Sequence, residues 1–336
     1  MSASLILVLA VLSAAPQDAT SQTDMPFAAP ATPARLQQAV AGGLGYLADE
    51  GLKWRTERSC ASCHHAPEML WAIGEARAAG LPVDEALFSA FTAWSLSPES
   101  TANVLPPPGD FYHLVPAYLS LGLSRHSADD PAIREGLGRL ATYIVSKQGA
   151  DGAWSAPEGR PPLFEKPEAI TLLSVLALSH PALAFDPAQP QYAAARDKAL
   201  GWLAANPTNG EHQSLVLRLL AKVATTSKPE ELRPLIDDLL ARQDANGGWR
   251  QTPDMNSDAF ATGQSLYALR VAGITADDAA IRAGAAFLVN SQSADGSWTM
   301  TSRPHPTTGA TGANVAPITY AGTAWGVIGL ARCALE

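Results

Sequence analysis

Cysteine is scarce: three occur among 336 residues, which excludes a framework of several disulfides as the source of stability. Charge is sparse as well, at 16% of residues, and it leans acidic, with a formal net charge of -9. No run of Lys or Arg is present, so the electrostatic footprint of a nucleic-acid partner is missing and an anionic membrane surface is disfavoured. The apolar run Leu5 to Leu12 is too short to span a bilayer, and no cysteine follows it to carry a lipid. These features predict neither nucleic-acid binding nor a stable membrane anchor. What is abundant is apolar surface. Hydrophobic residues make up 47% of the chain, dominated by Ala and Leu, which is enough for a large core and favours helices.

The N-terminus has its own layout. The run Leu5 to Leu12, small residues at Ser13 to Ala15 and a polar, Pro-containing tail match a secretory signal over residues 1–19 and a flexible linker over 20–33. The basic residue that usually precedes the apolar core is missing. The expectation is a protein exported to the periplasm or the cell exterior, where Cys60 and Cys63 meet an oxidising environment.

Two of the three cysteines and two of the seven histidines lie in Ser59-Cys60-Ala61-Ser62-Cys63-His64-His65. Two residues between the thiols place both sulfurs on one side of a turn, and His64 follows directly. In an exported chain this is the attachment pattern of a c-type haem, with thioethers from Cys60 and Cys63 and His64 on the iron. Two other readings stay open: a zinc site using Cys60, Cys63 and one or two of His64, His65 and His113, and a local disulfide or redox dithiol. With haem, the face opposite His64 would see His113, a Met such as Met69, water or substrate. Arg55 and Arg58 are candidate partners for the propionates, with solvated positions as the plainer alternative.

Self-comparison reveals a repeat. Gln148 to Trp154, Gln243 to Trp249 and Gln292 to Trp298 each read Gln-x-x-x-Gly-x-Trp, with Asp or Asn just before the Gly. Asp-Gly and Asn-Gly form turns because Gly accepts positive φ without steric cost. Before each turn runs a helical period, as in Ile133, Leu137, Leu140 and Ile144. After each comes a second, more apolar helix, predicted over Glu168 to Ser179, Ser257 to Val271 and Thr319 to Cys333. Weaker copies span Leu36 to Ala79, Val83 to Leu123 and Ala195 to Val223, making six hairpins from about residue 34 to 336. Neither end resembles a polar cap, so the prediction is an all-α, closed ring of six helical hairpins with the second helix of each unit inside.

The three Gln-x-x-x-Gly-x-Trp segments resemble the QW motifs of squalene-hopene cyclases and the related turns of protein prenyltransferase β subunits, which share an α/α toroid. The resemblance covers about residue 34 to the end. It implies that Gln148, Trp154, Gln243, Trp249, Gln292 and Trp298 are structural, bracing an outer helix against the start of the next inner helix, and that a small apolar ligand occupies the central cavity. It does not carry the chemistry across. The cyclases' Asp-x-Asp-Asp acid is missing, and Asp254 and Asp258 read as capping or solvated residues. Gly109-Asp110-Phe111-Tyr112-His113 resembles the stretch that supplies a zinc-binding His in farnesyltransferase-type β subunits, yet the Asp-x-Cys pair those enzymes need is absent. Cys333 reads as a small buried hydrophobe. In the first hairpin the Cys/His segment stands where the other hairpins have their turn, so Cys60, Cys63, His64 and His113 are the expected site at one rim. Electron transfer with a redox partner protein, or haem-dependent work on a ligand, is the expected role.

Overall fold

The computed structural model describes residues 29–58, 65–97, 100, 114–123, 125, 130–155, 167–184, 189–206, 210–226, 228–300, 303 and 315–335. The expected signal and most of the linker, together with Cys60, Cys63, His64 and His113, lie outside the described residues. Among those described, no helix is long and apolar enough to cross a membrane.

Among the described residues, twelve helices of eight residues or more follow one another as the six expected hairpins. The outer members are α1 (Pro33–Arg58), α3 (Glu85–Leu96), α5 (Pro131–Ser146), α7 (Pro190–Ala205), α9 (Pro229–Ala241) and α11 (Ala279–Ser291). The inner members are α2 (His65–Ala78), α4 (Leu114–Gly122), α6 (Pro167–Leu178), α8 (His212–Thr225), α10 (Ala259–Val271) and α12 (Val315–Cys333). A single helical turn, Pro181–Ala184, and a two-residue antiparallel ladder pairing Trp249 with Asp258 and Arg250 with Ser257 complete the regular structure. The first helix is longer than its apolar period suggested, continuing past Leu47 to Arg58.

Local chemistry starts the helices where the sequence punctuates them. Asp130 accepts from the Ala132 amide at 2.9 Å with Pro131 at the first helical position, and Asp84, Asp258 and Asp278 cap α3, α10 and α11 in the same way. Outer helices bury one stripe, such as Ile133, Leu137, Leu140 and Ile144 on α5. Inner helices are buried nearly all round, as α6 is from Glu168 to Val175, which places them between the outer layer and the centre.

Each inner helix packs on the next, in the order α2, α4, α6, α8, α10 and α12, and α12 returns to pack on α2. The ring is closed. α10 and α12 approach most intimately, since a side chain at Gly263 would fall 2.0 Å from the Trp325 carbonyl oxygen.

The three Gln/Gly/Trp turns repeat one set of bonds. In the first, Gln148 Nε2 donates to the Gly152 carbonyl at 2.9 Å and to the Ala195 carbonyl of α7 at 2.7 Å. The Trp154 indole donates to the Ile144 carbonyl at 2.7 Å, satisfying the end of α5, and its amide donates to Thr171 Oγ1 of α6 at 3.0 Å. Gln243 and Trp249 do the same with Ala280, Leu239 and Thr262. Gln292 and Trp298 do it with Ala39, Leu288 and Thr323. The glutamine therefore ties its turn to the next outer helix, where a brace to the next inner helix was expected. The tryptophan locks the two helices of its own hairpin.

The third turn joins the end of the ring to its beginning. Gly296 has φ +85°, and a Cβ there would lie 2.3 Å from the Gly42 carbonyl oxygen of α1. Gly296→Ala should therefore cost about 3 kcal/mol through backbone strain and a forced gap at the seam. Gly138→Ala on α5, with open space around it, should be neutral or stabilising by up to about 1 kcal/mol. Thermal unfolding of the two variants beside the parent checks both.

Candidate functional site

All connections from an outer helix to its inner partner lie at one rim, because each hairpin reverses the chain. In chain order the connection between Arg58 and His65, which lies outside the described residues, corresponds to the Gln/Gly/Trp turns of three other hairpins. Cys60, Cys63 and His64 belong to it. The residues that flank it are described.

His65, the first residue of α2, is buried. Its ring stacks on Trp54 of α1, with centroids 4.0 Å apart and planes 16° from parallel, and lies 4.3 Å from the ring of Tyr320 on α12. The Tyr320 hydroxyl donates to the His65 carbonyl at 2.8 Å. Burial raises the pKa of this hydroxyl, and the Glu68 carboxylate adds to the effect. The result is an aromatic wall from three helices at the start of α2. Met69 is fully buried below it, against Gly51 of α1, so its place is in the α1–α2 packing. Arg55 lies over the rings of Phe91 and Trp94, 5.5 and 5.1 Å from their centroids, and so joins α1 to α3 at the one outer seam next to the segment.

The opposite end of α2 is held by charge. Arg125 donates from Nε and Nη2 to the two oxygens of the buried Glu75, both at 2.8 Å, and Arg332 of α12 approaches at 3.7 Å. The bond from Glu75 is the main reason the Arg125 pKa is raised. Nearby, Trp71 of α2 and Tyr267 of α10 meet edge-on at 5.4 Å and both contact Trp325 of α12. Inner helices that are not neighbours in the ring thus share one aromatic cluster, which fills that part of the centre.

A second polar cluster sits at the starts of α8 and α10. His212 is buried, and its Nε2 lies 3.2 Å from the Ala261 carbonyl and 3.0 Å from Ser265 Oγ. Asp258 accepts from the Ala261 amide at 2.9 Å and from Gln251 Nε2, while Arg303 donates to Gln251 Oε1 at 3.0 Å. Desolvation lowers the Arg303 pKa to about 10. Asp258 is therefore a helix cap, as its sequence position suggested. Asp254 is held low by the Thr252 hydroxyl bonded to it at 2.6 Å. Cys333 is buried, with a thiol pKa pushed up to about 12 by desolvation, which fits its reading as a small hydrophobe. Among the described residues no group of His, Cys, Asp and Glu is placed to hold a metal ion.

Gln251, Gln264, Arg303 and the aromatic wall were not singled out from the sequence. Gln264 and Ser265 carry the one available signal: adjacent polar residues inside an otherwise apolar inner helix. Trp54 and Tyr320 are far apart in the chain and offer none.

Burial lowers the His212 pKa from 6.5 to about 4. The unfolded chain then binds the proton first, so stability is complete above pH 6.5 and falls as pH drops from 6.5 towards 4, by about 3 kcal/mol. His212→Gln should remove this slope, as denaturant unfolding of both proteins across that range will show.

Comparison with known proteins places the fold. Residues 198–335 match the family model described as the squalene-hopene cyclase C-terminal domain. No curated protein matches. Among solved structures, one described as a "possible member of GH105 family" from Klebsiella pneumoniae superposes with a TM-score of 0.62 at 14% identity, covering 98% of this chain and 99% of that one. The type II terpene cyclase MstE from Scytonema, without ligand, gives 0.53 at 15% identity, with 90% and 99% covered. A glycosyl hydrolase of family 88 from Bacteroides vulgatus gives 0.55 at 11% identity, with 89% and 98% covered. At these identities the likeness is one of fold. The chain is a mostly helical α/α toroid whose C-terminal portion, residues 198–335, is similar to the squalene-hopene cyclase C-terminal domain.

Proposed function

We propose that this chain is an exported haem c protein: a squalene-cyclase-like toroid whose first hairpin holds the cofactor through Cys60 and Cys63, with His64 as the iron ligand. The observation that carries the reading is positional. A Cys-x-x-Cys-His segment stands in a connection that leads into an inner helix, at the chain position where three other hairpins carry their Gln/Gly/Trp turn, and Arg55 joins the adjoining outer helices α1 and α3. The flanking residues suit a flat apolar macrocycle. Trp54 and His65 stack, Tyr320 packs tilted against His65, and Met69 is fully buried close by.

A bound haem c would supply a one-electron couple. The chain's own residues would hold it: two thioether sulfurs, the His64 imidazole, and the aromatic wall that excludes water from one side. His113 directly precedes α4 in the chain, the inner helix packed on α2, and would be a candidate to hold the iron together with His64. The role is electron transfer to a redox partner protein, or redox work on a small molecule at the same rim. Acid-initiated cyclisation is disfavoured, because Asp258 is engaged as a cap and by Gln251.

The test is expression with cytochrome c maturation machinery. The parent should show a Soret band that survives acid-acetone extraction, and Cys60→Ser with Cys63→Ser should abolish it while leaving the helical circular dichroism intact. A colourless parent with one bound zinc per chain would replace this reading with a Cys/His zinc module.

A further inference from the structure

The polar cluster across the ring from the Cys/His segment has a ligand chemistry of its own. α8 stands three inner helices from α2 in either direction. Where α8 and α10 begin, His212, Gln251, Phe260, Gln264 and Arg303 are among the residues that line a partly open pocket of about 10 Å³, room for one hydroxyl group or one water.

Donor and acceptor roles follow from the bonds already made. A carbonyl cannot donate, so the contact between His212 Nε2 and the Ala261 carbonyl requires the proton on Nε2. Ser265 Oγ donates to that same carbonyl at 2.8 Å and is free to accept from Nε2–H as well. His212 Nδ1 therefore carries a lone pair. It is buried and has no partner among the described residues, and the same holds for Gln264 Oε1. His212 is 4% exposed and Gln264 is 1% exposed. The two residues that carry these buried acceptors, His212 and Gln264, line one small pocket together with Arg303. Buried acceptors left unsatisfied are costly, so the site favours a group that brings its own O–H.

We propose that this pocket is a receptor for the hydroxyl group of an alcohol or polyol, which donates to His212 Nδ1 or Gln264 Oε1 and accepts from Arg303. The pocket admits the hydroxyl, with Phe260 among the residues that line it.

The probe is glycerol, titrated into full-length protein carrying 15N-labelled histidine. A hydrogen bond to His212 Nδ1 moves the resonance of that unprotonated nitrogen upfield, and His212→Gln identifies the signal. The expected result is a saturable upfield shift, with the apparent Kd weakened about tenfold in Gln264→Leu. The parent titration stands by itself if that variant fails to fold. A resonance that does not respond to glycerol would mean that a water alone fills the site and would overturn the proposal, as would a response to sodium acetate but not to glycerol. The titration should be unchanged in the Cys60→Ser, Cys63→Ser protein, so its outcome is independent of the haem assignment.

Discussion

Closure of the ring is the constraint on which everything else rests. Six hairpins stacked in a line would leave two apolar faces open to water. Here α12 packs on α2, and the Gln292 side chain reaches from the last turn to the Ala39 carbonyl, 253 positions back in the chain. The approach is so close that backbone meets backbone at Gly296 and Gly42. Since the same Gln/Gly/Trp unit joins α5 to α7 and α9 to α11, closing the ring needs no new device. It reuses the one that spaces the outer helices elsewhere.

The first, second and fourth hairpins lack the Gln/Gly/Trp unit, and in the first the neighbouring helices hold α2 instead. α2 lacks the turn that would tie its start to the outer layer. His65, stacked on Trp54 and tilted against Tyr320, holds that end, and the Glu75–Arg125 pair holds the other. A buried ion pair contributes modestly to net stability, but breaking one is severe, so α2 is fixed in position at both ends. A connection relieved of its bracing duty, yet anchored by rigid helices on both sides, is a suitable place for chemistry.

Much of the scaffold was legible in the sequence because it is periodic. Ile133, Leu137, Leu140 and Ile144 mark an outer stripe, and the three Gln/Gly/Trp units give the turn, its glycine and its tryptophan at one spacing. Thr171, Thr262 and Thr323 do the same job in all three units but lie 17, 13 and 25 residues beyond their tryptophans, so no fixed spacing reveals them. Loop length varies while the fold contact does not. The target of the glutamine was misplaced for a related reason: periodicity shows that a residue braces something, and only the packed ring shows that the partner is the next outer helix. At the candidate site the Cys/His motif is local and readable. The wall of Trp54 and Tyr320, and the pair His212 and Gln264, arise from long-range packing.

The central claim is that a helical ring gives up one bracing turn to carry a covalent iron porphyrin. Its most direct test is the intact mass of the mature protein made in a host that assembles cytochromes c, followed by mapping of its proteolytic peptides. The account predicts a mass increase of one haem, confined to the peptide that contains Cys60, Cys63 and His64. An unmodified mass, with both thiols open to alkylation after reduction, would contradict it.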